Sequence, residues 1–242
     1  MGSSARTAIV TGASQGIGAG IVKAFVERGF NVVATSRNVT QSREVAASDQ
    51  VALVDGHIGE PATAAKTIET AISRFKRIDA LVNNAGIFIV KPFTEYTSED
   101  LQALVSTNIE GFLYITQLAI KQMLAQKMGG SIVTITAALA RNPVRGFTAA
   151  VPMITKGGLE TVTQHLAMEY AQDGIRVNAV APGVVDTPLH DKTPDEVKRS
   201  LSPMGRVSTV KEIADAVMYL TDAATVTGDI LYVDGGAHFG RW

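Results

Sequence analysis

Cysteine is absent from this 242-residue chain, which excludes disulfides, thiolate metal sites and a cysteine nucleophile. The four histidines are scattered, without HExxH or HxxxH spacing, so no catalytic zinc is expected. Neither sign of charge is in excess: 22 Lys and Arg face 23 Asp and Glu, a formal net charge of −1. With no charged run either, nucleic acid and anionic membranes are unexpected partners and a small molecule is the expected one. No stretch reaches the roughly 18 uninterrupted apolar residues that would span a membrane. The opening "MGSSARTAIV" lacks the apolar core of a secretion signal. A cytoplasmic protein is expected.

What is present is a regular alternation. Short apolar, β-branched runs occur at 7–10, 31–35, 51–54, 79–83, 131–135, 176–180 and 230–233. Their hydrophobicity is continuous rather than alternating, as in strands covered on both faces of a parallel sheet. Between them lie segments of helical period at 17–28, 62–75, 101–126, 151–172 and 211–220. Gly29 suits a helix terminus, and Thr97 with Asp100, and Thr209 with Glu212, have capping-box spacing. The expected fold is α/β: a three-layer, doubly wound parallel sheet of about seven strands, a Rossmann fold, formed by residues 5–242 as one domain. The polar stretch from Gly183 to Pro203 breaks the rhythm. A connection of that length reads as a lid, here placed at about 183–205.

The first strand runs into "TGASQGIG". Gly12, Gly16 and Gly18 permit a tight strand-to-helix turn and let backbone amides approach a pyrophosphate, which then sits on the helix N-terminus. Ser14, Gln15 and Ile17 complete that loop. At the end of the second strand, where an acid would accept from the ribose of NAD, stand Ser36 and Arg37. A guanidinium pairs with a 2′-phosphate and a hydroxyl hydrogen-bonds it, so NADP(H) is expected over NAD(H). Gln15, where a second cation would help, is neutral.

Further motifs follow in order: "VD" at 54–55, "NNAG" at 83–86, "STNIEGF" at 106–112, Lys156, "IRVNAVAPGVVDTP" at 175–188 and "GDILYVDGG" at 228–236. Together with the glycine loop they make the chain resemble the short-chain dehydrogenase/reductase family over essentially its whole length. The resemblance implies that Asp55 meets the adenine amino group. It implies that Asn83, Asn84, Ala85 and Gly86 steady the sheet and line the adenine-ribose side. By the same resemblance Asn108 kinks the fourth helix and holds a relay water, and Lys156 binds the nicotinamide ribose. Pro182, Gly183, Val185 and Thr187 would flank the nicotinamide, Asn178 would be structural, and a homotetramer or homodimer pairing through the fourth and fifth helices and the last strand would be usual.

The family's proton donor is a Tyr four residues before the Lys, on the same helix face. The ammonium favours phenolate and brings the phenol towards working pH. Here Pro152 stands at that position and Ala137 where a substrate-binding Ser is expected. No Tyr lies between Tyr114 and Tyr170, and no Ser between Ser131 and Ser200. Thr136, Thr148, Lys156 and His190 are the remaining groups to weigh, with His165, His238 and Tyr114 read as structural. Gly157 and Gly158 read as sites of close helix packing, a subunit interface included. Two functions remain open: an NAD(P)(H)-dependent oxidoreductase with a non-standard proton source, acting on a carbonyl, alcohol or imine, with Asn108 and Lys156 as the catalytic candidates; or a non-catalytic NADP-binding scaffold or sensor.

Overall fold

The computed structural model describes residues 5–190 and 193–239. Seven strands form one sheet: β1 (Thr7–Thr11), β2 (Asn31–Ser36), β3 (Val51–Asp55), β4 (Ala80–Asn83), β5 (Gly130–Ile135), β6 (Ile175–Pro182) and β7 (Ile230–Val233). Every neighbouring pair is parallel, in the order β3-β2-β1-β4-β5-β6-β7. The helices are α1 (Gly16–Glu27), α2 (Pro61–Phe75), α3 (Ser98–Leu104), α4 (Gly111–Gln126), α5 (Ala150–Tyr170), α6 (Asp195–Ser200) and α7 (Val210–Asp222).

The side-chain period of two divides each strand between two cores. Ala8 and Val10 of β1 join Ile21, Phe25, Ile213 and Val217 from α1 and α7. Ile9 points the other way and meets Leu81, Ile132, Ile115 and Ala71, under α2 and α4. Both faces of the sheet are covered, which is why the strands read as unbroken apolar runs. The expected doubly wound three-layer sheet is what the chain forms.

Local signals act where expected. Both capping boxes are complete: Thr97 with Asp100 opens α3, and Thr209 with Glu212 opens α7. Gly29, just past α1, has φ +77°, a conformation that costs a residue bearing Cβ. One expectation needs correction: the helix expected at 101–126 begins at Ser98 and is broken by a π-helical turn, Val105–Glu110. The lid segment contains the turn Pro188–His190 and the short helix α6; its Asp191 and Lys192 lie outside the described residues, as does Trp242. Its two ends are joined by a bridge between Val185 and Ser208.

Candidate active site

The strand order reverses between β1 and β4, and that reversal opens a crevice at the carboxyl ends of the strands. Thr11 closes its floor. Its hydroxyl accepts from the amides of Asn84 (3.1 Å) and Ala85 (3.0 Å) and donates to Val82 O (3.4 Å). Asn84 returns the contact, its amide nitrogen donating to the carbonyls of Thr11 (2.9 Å) and Gly12 (3.0 Å). Asn83 ties β4 to α4 through Thr116.

The glycine loop is pressed so tightly onto this floor that side chains do not fit. A Cβ on Gly12 would lie 2.7 Å from Ala85 Cα, and one on Gly18 only 2.2 Å from Gly12 O. Ile17 packs against the α1–α7 core. Gln15 is extended and caps α1 with no side-chain hydrogen bond, and the first turn holds no acid. The amide of Gly16 instead donates to Glu44 Oε2 at 3.3 Å, and Ser14 O accepts from Ser42 at 2.6 Å. Neither residue has a local sequence signal for that placement.

Ser36 is half-buried with a hydroxyl that has no partner among the described residues, and Arg37 is exposed beside it. Asp55, expected to face an adenine, is engaged by Thr40: one oxygen accepts from its amide (2.9 Å) and the other from its hydroxyl. That hydroxyl, then the amide, holds the Asp55 carboxyl below its ordinary range. The far wall comes from β6 and the start of the lid. Gly183 donates to Val233 O (3.1 Å), Val185 is buried, and the Thr187 methyl would lie 3.4 Å from a Cβ on Gly16. Pro182 ends β6. The lid thus begins directly above the glycine loop.

Lys156 and Asn108 come together at Gly86: a Cβ there would stand 3.1 Å from Lys156 Nζ and 3.3 Å from Asn108 Oδ1. Asn108 lies inside the π-helical turn. Its Oδ1 accepts from Ile87 N (2.9 Å), while Nδ2 donates to Ile87 O (3.1 Å) and to Thr155 Oγ1 (2.9 Å). Lys156 is 7% exposed, and its ammonium donates to Ile135 O at 2.8 Å. An ammonium has three hydrogens; among the described residues Ile135 O is the acceptor given for them. Burial pulls the Lys156 pKa down to about 8.

Near this pair stand Pro152 and Ala137, at the positions where the family resemblance would put a Tyr and a Ser. Pro152 is buried in the first turn of α5, where its missing N–H is tolerated, and its carbonyl accepts from Thr155 Oγ1 (2.9 Å). Ala137 follows β5 in an extended conformation. Thr136 is committed to structure, its single hydroxyl hydrogen within reach of Glu160 Oε1 (3.1 Å) and Val180 O (3.3 Å). Burial raises the Glu160 pKa, opposed by the Thr136 hydrogen bond and the Arg141 charge. Glu160 lies four residues beyond Lys156, and that spacing was the signal available for it. Thr148 is exposed, and its carbonyl accepts from Lys91 N. His190 is half-buried in the lid, its pKa lowered by burial and by Lys198. His238 pairs with Asp234 (3.0 Å) and stacks on Tyr232. Exposed His165 and packed Tyr114 fit their structural reading. So does Asn178, which bridges to Val226 O and Asp229 N.

At the start of α5 opens a cavity of about 230 Å³, lined mainly by Phe93, Leu139, Val144, Phe147, Ala150 and Met153. The cation at its rim, Lys91, is neutralised by Asp100 at 2.5 Å. A Cβ on Gly157 or Gly158 would meet nothing within 4 Å among the described residues, so close packing there is not within the chain.

A family model described as enoyl-(acyl carrier protein) reductase matches residues 12–238. The chain belongs to the short-chain dehydrogenase/reductase family. It is 34% identical over 244 residues to 3beta-hydroxysteroid dehydrogenase 1 of Eggerthella lenta, covering 96% of this chain and 93% of the relative. Among solved structures, 3-ketoacyl-(acyl-carrier-protein) reductase from Brucella melitensis complexed with NADH superposes with a TM-score of 0.88 at 30% identity, over 96% of this chain and 98% of the other. ElxO with NADP bound does so with a TM-score of 0.86 at 26% identity, over 96% and 98%. The chain is thus a short-chain oxidoreductase by descent, with structural neighbours that hold nicotinamide dinucleotides.

Proposed function

We propose that this short-chain oxidoreductase uses a nicotinamide dinucleotide, NADP(H) in preference to NAD(H), on a small carbonyl, alcohol or imine without a phenolic proton donor. The observation that carries the reading is Lys156: an ammonium buried at Gly86 and Asn108, on one protein acceptor, fits the paired hydroxyls of a ribose. The dinucleotide, when bound, supplies or accepts the hydride. Gly12, Ser14, Gln15, Gly16, Ile17 and Gly18 would cradle its pyrophosphate. Ser36 and Arg37 would meet a 2′-phosphate, with Asp55, Asn84, Ala85 and Gly86 along the adenosine. Pro182, Gly183, Val185 and Thr187 would orient the nicotinamide end.

With Pro152 and Ala137 unable to hold a proton, Lys156 Nζ is the group beside the cradle whose affinity for a proton lies near working pH. Asn108 positions it by holding the Ile87 turn against α5. A substrate that needs little acid, such as an iminium, suits such a site better than a ketone. The apolar cavity at the start of α5 supports an uncharged, hydrophobic substrate body, in keeping with a relative named for a hydroxysteroid. The chain would act as a homodimer or homotetramer. Support comes from α5, where Ile154 and Met168 are 63% and 81% exposed beside the open Gly157 and Gly158.

Two measurements test this. Titration with NADPH and NADH, followed by fluorescence, should show tight binding, with NADPH the tighter. A panel of ketones and imines should then show nucleotide consumption with imines ahead of ketones. Failure to bind either nucleotide would refute the cofactor assignment, and binding with no consumption on any substrate would refute turnover.

A further inference from the structure

The anion-binding end of α1 is not left open by the chain itself. Its first turn has no acid, its cap residue Gln15 makes no side-chain hydrogen bond, and yet the Gly16 amide has an anionic partner, Glu44 Oε2 at 3.3 Å. That carboxylate comes from 28 residues along the chain. Its segment is pinned at three points. Thr40 is bound through amide and hydroxyl to Asp55. Ser42 donates to Ser14 O at 2.6 Å while accepting from the amides of Glu44 and Val45. Val45 is buried in the α1–α7 core. Glu44 itself is exposed, so no packing demand puts it there.

A carboxylate at a helix N-terminus is stabilised by the same amides and dipole that attract a phosphate. The contact lies one residue after Gln15, the position where a second cation would face a 2′-phosphate, so a carboxylate there acts unequally on the two cofactors. Ribose hydroxyls donate to a carboxylate, whereas a 2′-phosphate ester brings up to two more negative charges towards it. We propose that Glu44 is a cofactor-selecting residue, disfavouring the 2′-phosphate and so opposing the attraction of Arg37. This rests on the dinucleotide reading above. It means that the preference for NADP(H) is smaller than Ser36 and Arg37 alone would set.

The test is a set of dissociation constants for NADPH and NADH, and for the nicotinamide-free fragments 2′-phospho-ADP-ribose and ADP-ribose, on the wild type and Glu44→Gln. The variant should tighten the 2′-phosphorylated ligand of each pair roughly tenfold while the other changes within about threefold, and high salt should shrink the difference. Ser42→Ala, which frees the loop from Ser14, should move the ratio in the same direction and serves if Glu44→Gln folds poorly. Equal tightening of both ligands would overturn the proposal, since Glu44 would then merely compete for the cradle; an unchanged ratio would overturn it too. If wild type and variants bind no dinucleotide at all, the dinucleotide reading falls and takes this one with it. Binding with an unmoved ratio leaves that reading standing and removes only Glu44.

Discussion

Enclosing an ammonium costs free energy that only hydrogen bonds return, and Lys156 receives few of them from the protein. Its proton affinity is depressed to about 8 from 10.5 by desolvation. Below pH 8 the folded and unfolded chains both carry the proton, and the penalty is fully present. Between about 8 and 10.5 the unfolded chain binds more protons, so stability rises with pH across that window. The span is on the order of 3 kcal/mol. Urea unfolding of wild type should show this rise between pH 8 and 10.5, and Lys156→Met should lack it. A second expectation concerns the missing pair: Pro152→Tyr with Ala137→Ser should gain ketone reduction, read as substrate-dependent NADPH consumption. A folded, nucleotide-binding double variant that stays inert would show that the proton donor is not missing from those positions. That Lys156 and Asn108 meet at Gly86 was legible because both sit in motifs with fixed spacing. Glu44 and Ser42 were not, because what places them is a partner many residues away, and no periodicity encodes it.

Secondary structure was the most legible level. Continuous apolar runs mark strands covered on both faces, and the expected 131–135 and 31–35 differ from β5 and β2 by a single residue. Capping boxes were equally plain, since both partners lie three residues apart. Thr209→Ala removes one such partner from α7 and should cost about 1 kcal/mol, or roughly 2–4 °C in melting temperature by calorimetry. The interruption of the helix at 105–110 was foreseen as a kink at Asn108 but not as a full π-helical turn. Its cause is tertiary: Asn108 spends its side chain on Ile87 and Thr155. The short α6 escaped notice because six residues do not complete two turns of helical period. At the glycine loop, Gly18→Ala drives a methyl to within 2.2 Å of Gly12 O, a backbone atom that cannot swing aside. It should abolish nucleotide binding in the same fluorescence titration while α1, packed through Ile21 and Phe25, keeps its helical circular dichroism.

For the molecule as a whole, strand order follows from connectivity: right-handed crossovers on both faces of a parallel sheet leave one point of reversal, between β1 and β4. Assembly is less legible, because an exposed apolar side chain has the same letter as a buried one. If α5 mediates assembly, sedimentation should report a dimer or tetramer, and Gly158→Arg should shift it towards monomer without lowering nucleotide affinity.

The clasp between Val185 and Ser208 has its own consequence. The described residues between them are held at two fixed posts, with Lys198 and Ser202 buried in the second half, so a cut at Thr193, before that anchor, passes little strain to the strands. A protease nick near Thr193 should leave two fragments that co-purify, and grafting a relative's segment between the posts is the direct route to altering which molecules gain entry.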